Sequence, residues 1–196
     1  AVIGTGAQAR WQLDGLAVAR PGFSHVRVWG RNPEHAERCV RDLRERRGLP
    51  EGCRFEVAPG VREAVEGAEV VITCTASRAP LLRAEWLAPG ALVTAVGADG
   101  PDKQELEPEV LAGADLLVVD SREQCARVGE LHHALEAGLV ASPEAAVELG
   151  EICAGLRPGR TSAEQTIVCD LTGVGVQDVA AANLVLSRLG QAEAGS

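Results

Sequence analysis

Short apolar, β-branched runs recur along this chain, separated by longer segments whose apolar positions fall three and four residues apart, and that alternation predicts strands joined by helices. Ala1-Val2-Ile3 is the first such run. It breaks into Gly4-Thr5-Gly6-Ala7-Gln8-Ala9. Trp11, Leu13, Leu16, Ala17 and Ala19 then keep a helical spacing that Arg20-Pro21-Gly22 ends, so a helix is expected from Ala7 to Ala19. His25-Val26-Arg27-Val28-Trp29 alternates at period two and stops at Gly30-Arg31-Asn32-Pro33, a second strand and its exit turn. A second helix follows from Pro33 to about Arg47, and Arg54-Phe55-Glu56-Val57 is a short third strand.

Val61 to Glu66 reads as a short helix, and Glu69 to Thr75 as an apolar, β-branched strand of the kind covered on both faces. Ala91 to Val96 and Asp115 to Asp120 repeat that pattern, ending in Gly97-Ala98-Asp99-Gly100-Pro101 and in Ser121-Arg122. Ser121 to Gly155 is helical in spacing but interrupted by Gly129, Gly138 and Gly150, which predicts two or three short helices. A last strand spans Thr166 to Leu171, and Thr172-Gly173-Val174-Gly175 turns it into a helix from Gln177 to about Leu189. The apolar residues of that helix, Val179 to Leu189, spread around nearly its whole circumference, which predicts burial on more than one side. The small, polar tail Gln191 to Ser196 is expected to fray. The fold class is therefore α/β: a doubly wound, Rossmann-type, mostly parallel sheet with helices on both faces.

Composition narrows the partners. A length of 196 residues suits one α/β domain with a core of its own. The formal charge is -9 and the one basic cluster, Arg44, Arg46 and Arg47, reads as a solvated helix end, which argues against nucleic acid as a partner. Six scattered cysteines with no C-x-x-C pair point to reduced thiols and a cytoplasmic setting rather than a zinc site or a disulfide framework. No apolar run reaches the roughly 20 residues of a membrane span, so no membrane partner is expected. The chain starts inside a strand and contains no Met, which reads as a piece of a longer protein.

The opening strand, glycine turn and helix have the spacing G-x-G-x-x-A. The first glycine permits a tight turn, and the second lets backbone N–H groups approach a pyrophosphate at the helix N-terminus, which makes Gly4, Thr5, Gly6, Ala7 and Gln8 candidates to hold a dinucleotide. About 20 residues on, where an Asp or Glu would bond the adenosine ribose, the chain has Gly30-Arg31-Asn32. Without a carboxylate to repel a 2′-phosphate and with the Arg31 guanidinium able to clamp one, Arg31 and Asn32 favour NADP over NAD. In an open α/β sheet ligands gather beyond the carboxyl ends of strands, which makes Thr75 to Ser77 (with Ala76), Gly97 to Asp99 and Asp120 to Arg122 (with Ser121) candidates by position, and Val96 is counted with Gly97 as a candidate cofactor contact. An Asp-Ser helix cap would explain Asp120 and Ser121 equally well, and turn chemistry would explain Asp99. Val174 stands at a glycine corner that either floors the site or only turns the chain. No metal site is expected: the adjacent rings of His132 and His133 should point apart with no carboxylate at metal spacing. Lys103, the single lysine, is expected to be a surface ion-pair member.

The order of these pieces resembles the ornithine cyclodeaminase and mu-crystallin family. The resemblance rests on the opening turn, Arg31-Asn32, Thr73-Cys74-Thr75-Ala76-Ser77, the run Gly97 to Leu106 and Val119-Asp120-Ser121, and covers Val2 to about Leu189. It implies a dimer whose nucleotide-binding domain is followed by a helix that returns to an N-terminal dimerisation and substrate domain. On that basis residues 1–175 are an NAD(P)-binding domain, and residues 176–196 are a helix and tail that pack on a domain this chain lacks. The family's arginine for the substrate carboxylate and its lysine fall in that missing part. Asp99 resembles the family's aspartate beside the nicotinamide. In an imine reduction its protonated form would donate to nitrogen while hydride reaches carbon, in a cyclodeaminase it would accept a proton, and burial there would raise its pKa. The implied activity is that of an NAD(P)-dependent enzyme at the α-carbon of a small amino or imino acid. Ketimine reduction of the pyrroline-2-carboxylate type comes first, with ornithine cyclodeamination or alanine dehydrogenation as alternatives. A mu-crystallin-like NADPH-binding protein without catalysis is a second alternative. The 196-residue chain by itself is expected to bind dinucleotide weakly and to turn nothing over.

Overall fold

A computed structural model describes residues 1–194 of the protein. Gly195 and Ser196, the end of the tail expected to fray, lie outside the described residues. The chain forms β1 (Val2–Ile3), α1 (Ala7–Ala19), β2 (His25–Trp29), α2 (Pro33–Glu45), β3 (Arg54–Val57), α3 (Val61–Val65) and β4 (Val70–Thr73). It continues through β5 (Arg78–Leu82), β6 (Leu92–Ala95), β7 (Gln104–Leu106), α4 (Pro108–Ala112), β8 (Leu116–Val119), α5 (Arg122–Cys125) and α6 (Glu130–Glu136). The last elements are β9 (Val147–Glu148), α7 (Leu149–Cys153), β10 (Ile167–Asp170) and α8 (Gly175–Ala194).

Eight strands make one sheet in the order β3-β2-β1-β4-β6-β10-β8-β9, and every pair in it is parallel. This is the doubly wound α/β fold expected from the pattern, with the order reversing between β1 and β4. The two-residue period of the strands divides the core. Val2, Val28 and Ile72 face α1 and α2 with Leu13, Val40 and Leu43. Ile3, Val71, Val93 and Val119 face the opposite way, against Val65 of α3, Val110 of α4 and Leu131 of α6. Helices thus cover both faces. Because all strands run one way, their exits all open on one edge.

Three differences from the expected elements have physical causes. β5 and β7 form a separate two-stranded parallel sheet. These are short segments, one interrupted by Pro80, and neither alternates cleanly enough to announce itself. α8 continues through Ala194 instead of fraying after Leu189, because Gln191, Ala192, Glu193 and Ala194 are good helix formers. Its expected burial on several sides is absent: Val176, Val179, Leu184, Val185, Leu186 and Leu189 are each more than half exposed. Among the described residues no helix is long and apolar enough to cross a membrane.

The exit of β1 is the tightest point of the fold. Gly4 has φ +132, and a Cβ there would lie 2.7 Å from both the carbonyl oxygen and the sulfur of Cys74. Gly6 has φ -76, and a Cβ there meets nothing within 4 Å. Urea unfolding of Gly4→Ala should show a loss well above the ~1 kcal/mol of backbone strain at positive φ, and Gly6→Ala a smaller one. Equal losses would contradict the packing described.

Candidate functional site

A cleft of about 670 Å³ opens over the exits of β1, β2 and β4, lined by Gly4, Thr5, Gly6, Trp29, Gly30, Arg31, Asn32, His35, Cys74, Thr75, Ala76, Ser77 and Leu81. Its size falls within the ~300–1,000 Å³ of small-molecule sites, and its place is the switch point where ligands of open α/β sheets lie. Gly30 lets the β2 exit come close to the β1 turn, since a Cβ there would stand 2.5 Å from the Thr5 methyl.

The glycine turn is braced from behind. Arg10 Nη1 donates to the carbonyl oxygens of Thr5 and Gly6, at 2.9 Å each, and its Nε and Nη2 donate to Asp42 of α2. In a planar trans peptide the N–H points opposite to its C=O, so drawing these two carbonyls onto Arg10 turns the N–H groups of Gly6 and Ala7 the other way. α1 has no side-chain cap at Gly6. α2 and α5 are capped, by Asn32, which accepts from the N–H groups of Glu34 and His35, and by Ser121, which accepts from that of Gln124. α3, α4 and α6 also start without a side-chain cap, but of the two helices that begin at the cleft, α2 is closed by Asn32 and α1 is open. Free N–H groups there, in front of a glycine with open space, fit the pyrophosphate of a dinucleotide. At the far end Arg31 and His35 line the cleft with exposed side chains.

The β4 side is organised by acids buried between elements. Glu105 of β7 is fully buried. Its Oε1 accepts the Thr75 N–H at 2.5 Å, and its Oε2 accepts the Thr73 hydroxyl at 2.8 Å and the Gly97 N–H at 2.9 Å. Burial pushes its carboxyl above the usual range, and these donors pull it partly back. Glu130 holds the N–H groups of Glu105 and Leu106, at 2.7 and 3.0 Å, and burial raises its carboxyl to about 8. Asp170 accepts from Leu131 at 2.9 Å, has a second oxygen with no hydrogen-bond partner among the described residues, and is raised to about 7, again chiefly by burial. Cys74 lines the cleft, but burial and the nearby Glu105 push its thiol up to about 12, so it stays neutral and is no nucleophile.

Of the residues proposed from the sequence, Gly4, Thr5, Gly6, Arg31, Asn32, Thr75, Ala76 and Ser77 come together in the cleft. Ala7, Gln8, Val96, Gly97, Asp99, Asp120, Ser121 and Val174 do not line it. Ala7 and Gln8 open α1, and Val96 and Gly97 leave β6 beside Thr73 and Glu105. Asp120 is occupied by the protein itself: its carboxylate accepts from the Ser121 N–H, the Thr172 hydroxyl and the Gly173 N–H, pinning the turn into α8 where Val174 lies. Ser121 serves as the cap of α5, accepting from the Gln124 N–H. Asp99 is exposed and ion-paired with Lys103, not buried as expected, so Lys103 is a surface ion-pair member. The reading of His132 and His133 needs correction too. Glu136, one turn on, stands 3.6 Å from His132, and one donor atom from each of the three falls within 4.8 Å of the others. His133 Nε2, however, is engaged with the Lys103 carbonyl at 2.8 Å.

The sequence reading passed over Trp29, Gly30, His35, Cys74 and Leu81 in the lining, Arg10 behind the turn, and the three buried acids. His35 was within reach of inference, since it follows the cap of α2 by one turn. Burial of Glu105 had no such signal.

The model of the ornithine cyclodeaminase/mu-crystallin family matches residues 1–193. The chain belongs to that family. An uncharacterized cyclodeaminase of Sinorhizobium fredii is 44% identical over 195 residues, 100% of this chain and 57% of that protein. Among solved structures, an archaeal alanine dehydrogenase dimer with bound NAD superposes with a TM-score of 0.88 at 35% identity, covering 98% of this chain and 57% of that one. The Thermococcus litoralis Δ1-pyrroline-2-carboxylate reductase in complex with NADH and L-proline has a TM-score of 0.90 at 26% identity, covering 98% and 58%. The chain thus spans a little over half the length of these family members.

The raised acids set a pH dependence. Glu130 and Asp170 hold protons more tightly in the folded protein than in the unfolded chain, so their contribution to stability is most favourable below the ordinary carboxylate range and is lost as pH rises toward about 7 to 8. Urea unfolding between pH 5 and pH 8 should show this decline. Asp170→Asn, which keeps an acceptor for Leu131 but cannot titrate, should flatten it by up to about 1.4 kcal/mol per pH unit. An unchanged slope in the variant would contradict the assignment.

Proposed function

We propose that this chain is the dinucleotide-binding part of an NAD(P)-dependent enzyme that acts at the α-carbon of a small amino or imino acid. The observation that carries the reading is the uncapped α1 N-terminus behind Gly4-Thr5-Gly6, braced by Arg10 and opening on the cleft. The pyrophosphate would rest on the N–H groups of this turn, Arg31 and Asn32 would meet the adenosine ribose, and Thr75 to Ser77 would line the path toward the reactive ring. Arg31 favours NADP, since its guanidinium can form charge-assisted bonds to a 2′-phosphate.

The leading reaction is reduction of a cyclic ketimine of the pyrroline-2-carboxylate type, for which the likeness to a pyrroline-2-carboxylate reductase is the support. A bound nicotinamide supplies or accepts the hydride. Asp99, at the exit of β6, is the proposed proton donor to the imine nitrogen in its protonated form; in this chain its carboxylate is exposed and paired with Lys103, so the acid must take up a proton from solvent and leave that ion pair before it can donate. Residues 1–175 are then the nucleotide domain, and α8 is the element that packs on a dimerisation and substrate domain of a homodimer. Ornithine cyclodeamination and alanine dehydrogenation use the same hydride step, and the likeness to an NAD-bound alanine dehydrogenase favours the second of these.

The 196-residue chain should bind NADPH weakly and catalyse no amino-acid-dependent turnover. In calorimetric titrations Arg31→Ala should weaken NADPH about tenfold or more, the worth of a charged hydrogen bond, and leave NADH nearly unchanged. Equal loss of both would remove Arg31 from the 2′-phosphate. In the whole protein, Δ1-pyrroline-2-carboxylate with NADPH should give turnover that Asp99→Asn abolishes. Turnover with ornithine alone, or with pyruvate and ammonia, would select an alternative, and tight NADPH binding without turnover would select a binding protein.

A further inference from the structure

One carboxylate ties together two neighbouring strand exits where their backbone ladder ends, the last bond between them running from the Val96 N–H to the Thr73 carbonyl oxygen at 2.9 Å. Thr73 and Thr75 belong to the exit of β4, Gly97 to the exit of β6, and all three donate to Glu105, which comes from the separate β5–β7 sheet. Gly97 itself sits in a confined place: a Cβ there would collide with the Thr75 carbonyl oxygen and the Glu105 carboxylate. Glu105 is in turn fixed by Glu130, which holds its own N–H. An acid with both oxygens filled by three protein donors, and itself shut from solvent, has no part in proton transfer at the surface. It fixes where the Thr75 backbone lies along the cleft wall.

We propose that Glu105 is a positioning residue for the reactive-ring half of the cleft: through the Thr75 and Gly97 amides it sets the spacing of the β4 and β6 exits, while the adenosine half is set independently by Arg10, Gly30 and the Asn32 cap. This rests on the dinucleotide reading above. The division into halves follows from the contacts. In side-chain hydrogen bonds Arg10, Asp42 and Asn32 join β1, α1 and α2, whereas the Glu105 carboxylate accepts only from residues 73, 75 and 97, and the two halves adjoin at Cys74, whose N–H donates to the Ile3 carbonyl oxygen at 2.8 Å. A glutamine at 105 keeps one acceptor but sets an NH₂ group against a backbone N–H that the carboxylate satisfied, and the two exits move apart.

The test is calorimetric titration of the 196-residue chain with NADPH and NADH, and with 2′,5′-ADP and ADP as probes of the adenosine half alone. Glu105→Gln should weaken the preferred dinucleotide by about tenfold or more while changing the adenosine probes by less than about twofold, and Thr73→Val, which removes one donor and keeps the acid, should show the same split on a smaller scale. Loss of dinucleotide and probes in equal measure would mean that Glu105 acts through the fold as a whole and would overturn the proposal. Unchanged dinucleotide affinity in Glu105→Gln would overturn it as well. Should Glu105→Gln fail to fold, Thr73→Val decides: a split supports the proposal and no change overturns it. If the unsubstituted chain binds neither dinucleotides nor probes, the dinucleotide reading falls, and the proposal with it. Binding by the unsubstituted chain with no split in the variants removes the proposal alone.

Discussion

A sheet whose strands all run one way gathers its exits on a single edge, and there each chain leaves the ladder with backbone N–H groups that the next strand no longer satisfies. Leaving such a group buried and unpaired costs about 1–3 kcal/mol, so each needs an acceptor. The first N–H past each of β1, β3, β4, β6, β8 and β10 still finds a backbone carbonyl of the neighbouring strand, and beyond that point and at the helix starts this protein uses side-chain oxygens. Glu105 takes Thr75 and Gly97, Glu130 takes Glu105 and Leu106, Asp170 takes Leu131, Asp120 takes Ser121 and Gly173, and Asn32 takes Glu34 and His35. Three of these acids are buried with carboxyls pushed above their ordinary range, a cost accepted for a rigid edge. The turn after β1 is treated the other way. Its carbonyls are occupied by Arg10, and no side chain closes the start of α1. At the cleft the start of α1 is thus left open to a ligand.

What could be read in advance follows from the range of each interaction. β1, α1, β2, α2 and β3 were legible nearly to the residue because a two- or 3.6-residue period and the glycine and proline stops beside it are local facts. The glycine turn, Arg31 and Thr75 were legible for the same reason: each sits at an element end. The placement of β10 between β6 and β8 is a long-range pairing, as is the meeting of β5 with β7, and neither leaves a local trace. Glu105 was hidden more deeply. In Gln104-Glu105-Leu106 an acid reads as solvated, and its burial depends on donors from residues 73, 75 and 97 that only the folded chain assembles. Asp120 shows the converse, since an acid at a strand exit looks available to a ligand until Thr172 and Gly173 take it up.

The exposed face of α8 and the open side of Asp99 belong to one argument. A helix with Val176, Val179, Leu184, Val185, Leu186 and Leu189 all more than half exposed is no surface helix of ordinary amphipathic design, because its apolar residues are not confined to one stripe. Asp120 fixes the turn from which that helix departs, so the helix leaves the sheet from a defined point. On the proposed reading, the substrate domain is then delivered to a defined place relative to Asp99, and the ion pair with Lys103 holds the carboxylate near that place until the domain covers it.

The cap of α2 bears on the choice between dinucleotides. Asn32 closes the helix by accepting from Glu34 and His35, at 2.9 and 3.4 Å, and an aspartate at the same position would close it equally well. The difference lies in charge. An aspartate would offer a ribose two acceptors and repel a 2′-phosphate, whereas the amide caps the helix without adding negative charge beside Arg31. Cap and specificity are therefore separable at this position. On the NADP reading, Asn32→Asp leaves the helix intact and opposes the guanidinium, so it should weaken NADPH selectively in the same titrations, with helix content by circular dichroism unchanged.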